Sequence, residues 1–257
     1  HLSLRRQRQM CIRDRSSGAR IYSRASKTVQ LSAEIKDLLA LDDDHMKPDE
    51  LIGALLTASV DLLWNGGVGT YIKASTESHS DVGDRVNDSV RVNANALRCR
   101  VVGEGGNLGV TQLGRIEFSL HGGFCNTDFI DNAAGVDCSD HEVNIKILLN
   151  ASLRAGEITA PDRNDLLASM TEAVAEKVLH KNARQTQAIS LALRRSDQRH
   201  AEYQRFMVWL NELGNLDRQL EFLPSDDVLA ERLARKQVVW TLSLIHISEP
   251  RDVEESR

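Results

Sequence analysis

The chain has 257 residues, 41% hydrophobic and 27% charged, with a formal net charge of -5. That balance suits one large globular domain or two smaller ones and argues against a nucleic-acid footprint. It also argues against a membrane span: no apolar run nears the roughly 18–20 residues one needs, and the richest stretch, LIGALLTASVDLLW (51–64), is cut by Asp61.

The ends differ from the middle. Residues 1–15 carry five Arg against one Asp, and residues 242–257 carry two Arg against three Glu and one Asp. Neither end has periodicity or a capping signal. The strings MCIRDR and SLIHISEPRD resemble translated sequencing-adaptor read-through, so 1–15 and 242–257 are set aside as non-native or disordered. Native tails are the alternative, and a basic head would otherwise suggest a transit peptide.

Pro48, Asp49 and Glu50 open a helix, because proline tolerates the first turn and acids suit its dipole. Leu51, Ile52, Leu55 and Leu56 give that helix an apolar face. Val60 to Trp64 reads as a buried strand, broken by Asn65-Gly66-Gly67-Val68-Gly69. A polar loop runs to about Asp81, and Asp84 to Ala96 carries Val86, Val90 and Leu97 at helical spacing. Leu97 to Val102 is the next strand, ending in a glycine corner at 103–109. Thr111 to Leu120 is a helix stopped by His121-Gly122-Gly123. Cys125 to Ile130 is a third extended run, with a second corner at Asn132-Ala133-Ala134-Gly135. Ser139 is an N-cap for a long helix, and Glu142 completes a capping box. Strand and helix alternate, so the expectation is α/β with a parallel sheet.

Beyond about residue 150 the strand signals vanish. A helix starts at Thr159-Ala160-Pro161-Asp162 and includes Leu166, Leu167, Met170, Val174 and Val178. A second runs from about Asn182 to Leu213 and stops at Gly214. Leu216 to Phe222 and Ser225 to Gln237 supply two shorter pieces. The expected organisation is a nucleotide-binding part over 16–150 and a helical region over 151–241.

Gly103-Glu104-Gly105-Gly106-Asn107-Leu108-Gly109 nearly spells a dinucleotide fingerprint, but its third glycine falls one residue late. Asp128 and Asp131 lie where a ribose-binding acid would. The alternative is a tight turn with no ligand, and the same alternative holds for 65–69. His121, Cys125, Cys138 and His141 have zinc-like pair spacings but sit at two different strand edges, and no metal site is expected. Ser139, Asp140 and His141 are adjacent, so they cannot face one another as a hydrolase triad. Arg184 to Arg205 reads as a solvated helix face. Four cysteines without a paired framework point to a reducing cytoplasm.

Several stretches together resemble the C-terminal part of a glutamate dehydrogenase, and more closely the very large NAD-specific bacterial class. They are VDLLWNGGVGTYIKA (60–74), DVGDRVNDSVRVN (81–93), RCRVVGEGGNLGVTQLGRIE (98–117) and NTDFIDNAAGVDCSDHEVNIKILLN (126–150). Looser similarity runs through QTQAISLA (185–192) and LDRQLEFLPSDD (216–227). The resemblance implies the second half of a Rossmann-like domain followed by an all-helical segment, with NAD as cofactor and glutamate or 2-oxoglutarate as substrate. It implies that Asn107 and Asn132 contact the nicotinamide side, that Asn65, Gly66, Gly105 and Gly106 lie along the cofactor, and that Ser139 reaches a substrate carboxylate. Gly106 stands where the family has alanine, and Ala134 where it has glycine.

The family's catalytic lysine and aspartate and its main phosphate loop would lie upstream, so no catalytic residue is assigned here and the stretch alone is expected to be inactive. The implied parent is a cytoplasmic homo-oligomer with small-molecule substrates and no nucleic-acid or membrane partner. The competing reading is a non-catalytic helical interaction module on a vestigial nucleotide fold.

Overall fold

A computed structural model describes residues 20–235 and 237–245, apart from the Ser243 side chain. The expectation for 1–15 lies outside the described residues. The chain divides into two compact units, with the boundary after Ser59.

In the first unit, β1 (Val29–Gln30) pairs antiparallel with β2 (His45–Met46). Between them, α1 (Ala33–Leu39) is capped by the Ser32 hydroxyl and ends on Ala40 in the left-handed region. The Lys36 ammonium meets Asp44 at 2.6 Å. The helix predicted from Pro48 is α2 (Pro48–Leu56), and its Glu50 side chain accepts from the Lys47 N–H at 3.1 Å. Of its apolar face, Leu51 is buried while Leu55 is exposed.

The second unit holds two small parallel pairings. β3 (Leu62–Asn65) lies beside β6 (Val101–Glu104), with Leu62 opposite Val101 and Asn65 opposite Glu104. β4 (Ile72–Lys73) lies beside β5 (Val92–Asn93). Single bridges join Ile72 to Val110 and Val101 to Phe124. This is a mixed α/β architecture, as expected. Strand alternation sends Val102 and Glu104 inward, while Leu62, Trp64 and Val101 remain exposed on the other face.

The expected helix over Asp84–Ala96 does not form. In its place α3 (His79–Val82) precedes two short 3-10 turns, Arg85–Asn87 and Ala94–Ala96, that flank β5. Arg91 decides this. Its buried guanidinium donates to the Thr70 carbonyl at 2.8 Å and to Asp88 at 2.5 Å, which pulls the next residue into register with β4. Tertiary pairing thus overrides helical spacing, and Val86, part of the supposed apolar face, is 80% exposed.

The helix expected over Thr111–Leu120 is α4 (Gln112–Leu120), with the Thr111 side chain as its cap. Its two faces serve two cores. Phe118 packs with Ile72, Val102, Val110 and Cys125 against the strands. Ile116 packs with Ile189, Met207, Leu229 and Trp240 in a helical cluster.

The third strand reduces to the Phe124 bridge. The residues after it turn into α5 (Asp128–Asp131), followed directly by α6 (Ala133–Arg154). The helices after residue 150 break elsewhere than expected. α7 (Ala160–Ser169) ends at Met170, and α8 (Thr171–Glu212) then runs for 42 residues. No glycine or proline lies within α8, so nothing stops it until Leu213 and the left-handed Gly214. Asp217 to Phe222 is a turn rather than a helix, and α9 (Asp226–Ala234) starts on the Ser225 cap. α10 (Leu242–Ile245) follows, with Leu244 and Ile245 buried in the helical cluster. Leu242, Leu244 and Ile245, from the stretch set aside at 242–257, therefore pack on this cluster; residues 246–257 lie outside the described residues. No helix among the described residues is long and apolar enough to cross a membrane.

Candidate functional site

The C-terminal ends of β3 and β6 run side by side into two glycine-containing loops. The Gly105 N–H donates to the Asn65 carbonyl at 2.8 Å, which extends the pairing one step past the strands. The glycines here answer to their own neighbours. A Cβ on Gly103 or Gly105 would lie 2.7 or 2.6 Å from the Trp64 indole, and one on Gly106 would lie 2.4 Å from the Gly67 carbonyl oxygen. A Cβ on Gly109 would fall on the Asn65 amide. Missing side chains thus let a tryptophan ring and a second loop lie flat on this corner. Asn65 turns inward: its Oδ1 accepts from the Gly67 N–H at 3.4 Å, and its Nδ2 is buried without a partner among the described residues.

Carboxylates hold the 104–110 loop. The Glu104 side chain is 0% exposed. It accepts from Arg115 Nε at 2.6 Å, from a terminal Arg115 nitrogen at 3.0 Å and from the Val110 N–H at 3.0 Å. Burial pushes the Glu104 carboxyl upward, and the Arg115 hydrogen bonds and charge oppose that. Arg115 also meets Asp128 Oδ1 at 3.1 Å. Asp128 Oδ2 accepts from the Leu108 N–H at 2.8 Å, and Asp131 Oδ2 accepts from the Glu104 N–H at 3.0 Å. The two acids that sequence spacing offered to a ribose therefore hold protein N–H groups. From the other side, Thr70 Oγ1 donates to the Leu108 carbonyl at 2.6 Å, and Tyr71 and Ile72 N–H groups donate to the Gly109 carbonyl. This lattice of bonds gave no signal in the sequence beyond the acids themselves.

The loop presents Asn107 at the surface. Asn132, which joins α5 to α6, donates from Nδ2 to Asn107 Oδ1 at 2.7 Å. The structure thereby brings together two of the residues that sequence reading had placed at separate corners. Neither takes a left-handed backbone; Leu108 does, at φ 57°. The Asn107 amide N–H groups and the Asn132 Oδ1 have no other partner among the described residues. That leaves one donor on the Asn107 amide and one acceptor on the Asn132 amide, the two group types a primary carboxamide can pair with.

Ser139 is not a cap. It lies inside α6, exposed, with its hydroxyl unpartnered among the described residues. The box with Glu142 does not form, because the helix has already begun at Ala133 and Glu142 pairs instead with Lys146. Ser139 lies seven residues beyond Asn132, about two helical turns, hence on the same side. Val136, Val143 and Ile147 continue that side and are all exposed. α6 is anchored elsewhere: Asp137 meets Lys181 at 3.1 Å, while the Asn182 side chain donates to the Ile130 carbonyl of α5 at 2.8 Å. The four residues with zinc-like spacing are not gathered. Cys125 is buried beside Ser119, while Cys138 is exposed on α6.

These features define an α/β segment whose polar surface gathers where parallel strands end. Residues 10–192 match the family described as bacterial NAD-glutamate dehydrogenase, catalytic domain, and the chain belongs to that family. It is 59% identical over 222 residues to the NAD-specific glutamate dehydrogenase of Pseudomonas aeruginosa and 50% identical over 222 residues to that of Halomonas elongata, with 86% of this chain covered in each. It is 49% identical over 223 residues to the enzyme of that name from Mycobacterium tuberculosis, with 84% covered. The chain spans about 14% of the length of these curated relatives. The reading as a non-catalytic helical module is not favoured.

Proposed function

We propose that this chain is a segment of an NAD-dependent glutamate dehydrogenase and contributes one wall of its cofactor and substrate site. The whole enzyme converts L-glutamate, NAD and water to 2-oxoglutarate, ammonium and NADH. NAD supplies the hydride acceptor; the protein supplies position and electrostatics. The observation that carries the reading is the Asn107–Asn132 contact at the end of the parallel β3–β6 pair, where open α/β sheets take dinucleotides.

On this reading Asn107 and Asn132 hold the carboxamide of the nicotinamide. Asn65, Gly66, Gly105 and Gly106 form the corner along which the cofactor lies. Ser139, two turns along α6 from Asn132, donates to a carboxylate of glutamate or 2-oxoglutarate. The residues that move protons in the reaction come from the longer protein. β3 and β6 belong to a Rossmann-like sheet, and helices of the longer protein cover the open face of Leu62, Trp64 and Val101, because parallel sheets are ordinarily covered by helices on both sides. The full enzyme is a cytoplasmic homo-oligomer.

The test is Ser139→Ala in the full-length enzyme. Losing a hydrogen bond to a charged group costs about 1.5–3 kcal/mol, so the KM for glutamate rises about 10- to 150-fold while the KM for NAD stays near the parent value. Equal changes in both constants, or none, would remove Ser139 from the substrate site.

A further inference from the structure

We infer that Asp128 is a positioning residue, which sets where Asn107 stands relative to Asn132 and so tunes cofactor affinity without touching the cofactor. The inference rests on the reading of those two asparagines as NAD ligands.

Asp128 opens α5, a single helical turn that ends against Asn132. One carboxylate oxygen accepts from the Leu108 N–H at 2.8 Å, next to Asn107 in the chain. The other faces the buried Arg115 at 3.1 Å. Asp131, on the same turn, accepts from the Glu104 N–H at 3.0 Å. One short element therefore grips the loop of Asn107 at both of its ends and carries Asn132 at its own. The Asn132 Nδ2 to Asn107 Oδ1 contact, at 2.7 Å, closes this ring. Asn107 is exposed; Thr70 and the 71–72 backbone hold the Leu108 and Gly109 carbonyls on the far side of the loop, while Asp128 takes the Leu108 N–H that adjoins Asn107. Arg115 fixes the carboxylate in turn, since its guanidinium is shared between Glu104 and Asp128. A side chain held by a second layer of charge-assisted hydrogen bonds is the usual means of keeping a binding group within a fraction of an ångström.

The experiment uses the full-length enzyme with Asp128→Ala, Asp128→Asn, Asn107→Ala and the double variant Asp128→Ala/Asn107→Ala. Asp128→Ala is expected to raise the KM for NAD on the order of tenfold while the KM for glutamate changes less than about twofold. Asp128→Asn retains an acceptor for the Leu108 N–H and returns the NAD constant most of the way to the parent's. If Asp128 acts through Asn107, the double variant is no worse for NAD than Asn107→Ala alone, because a coupled pair is not additive. An unchanged KM for NAD in Asp128→Ala, or additive effects in the double variant, overturns the inference while leaving the asparagines as ligands. Should Asp128→Ala fail to fold, Asp128→Glu keeps the charge against Arg115 but lengthens the reach to Leu108, and the same rise in the NAD constant alone decides. If Asn107→Ala itself leaves NAD binding at the parent's level, the cofactor reading fails, and the inference with it.

Discussion

The loop at 103–109 and the turn at 132–135 look alike as strings, with small residues and glycine beside an asparagine, yet they are built in opposite ways. In the first, the space where each side chain is missing is filled by the Trp64 ring, the Gly67 carbonyl or the Asn65 amide. Two of its N–H groups, those of Glu104 and Leu108, end on carboxylates, as does that of Val110 just beyond it. In the second, a Cβ on Gly135 would meet only the Asn132 side chain, at 3.7 Å, and the backbone runs straight on as helix. A glycine signals close approach only where something approaches. The first loop is a fixed corner; the second is the start of a helix that leaves Val136, Ser139 and Val143 open to solvent.

The largest effect should come from removing the cation at the centre of the corner. Arg115→Met keeps much of the side chain's bulk but leaves Glu104 buried and uncompensated. Breaking a buried pair in this way costs about 3–5 kcal/mol. A chemical-denaturation midpoint close to the parent's would mean the pair does not hold the corner. Adding Glu104→Gln should recover part of the loss, because the remaining partner is then uncharged.

Next come the two glycines themselves. Gly106→Ala drives a methyl into backbone rather than into a movable side chain, for a loss of about 1–3 kcal/mol. Gly135→Ala replaces a helical glycine in open surroundings and should raise stability by about 0.4–1 kcal/mol. Opposite signs in paired unfolding curves are expected. The same sign for both substitutions would dissolve the distinction between the two regions.

What the sequence made legible follows the same division. Helix starts and stops written in local chemistry were readable: Pro48 at the start of α2, the run of α4 to Leu120, Ser225 at the start of α9 and Gly214 ending α8. Asn107 and Asn132 were legible as members of two separate corners, but their contact was not, because the strand expected before Asn132 is replaced by α5. Features decided by distant partners were not readable. Arg91 draws β5 out of a helical pattern by reaching Thr70, twenty-one residues away. Asp128 and Asp131 have the spacing of ribose ligands but close on backbone of residues 104 and 108. Ser139 carries the signature of a capping box, yet it lies within a helix already started at Ala133, where a box has no free N–H groups left to satisfy. Local rules specify where an element can begin, and tertiary contacts decide whether it does.

The smallest effect is chemical rather than energetic, and it reads the two regions directly through Cys125 and Cys138. Cys125 lies under the corner, with its thiol near Ser119 and the Arg115 carbonyl; burial pushes its pKa up to about 12. Burial likewise raises Cys99. Cys138 is exposed on α6, one residue before Ser139. Alkylation requires both access and thiolate. At pH 8, iodoacetamide should therefore modify Cys138 in the folded chain and leave Cys99 and Cys125 until denaturant is added, with the sites assigned by peptide mass mapping. In Arg115→Met, Cys125 should become reactive without denaturant, because its cover depends on the same buried pair. Equal labelling rates for Cys125 and Cys138 in the parent chain would mean that the corner opens as freely as the helix face, and that its carboxylate bonds do not keep it closed.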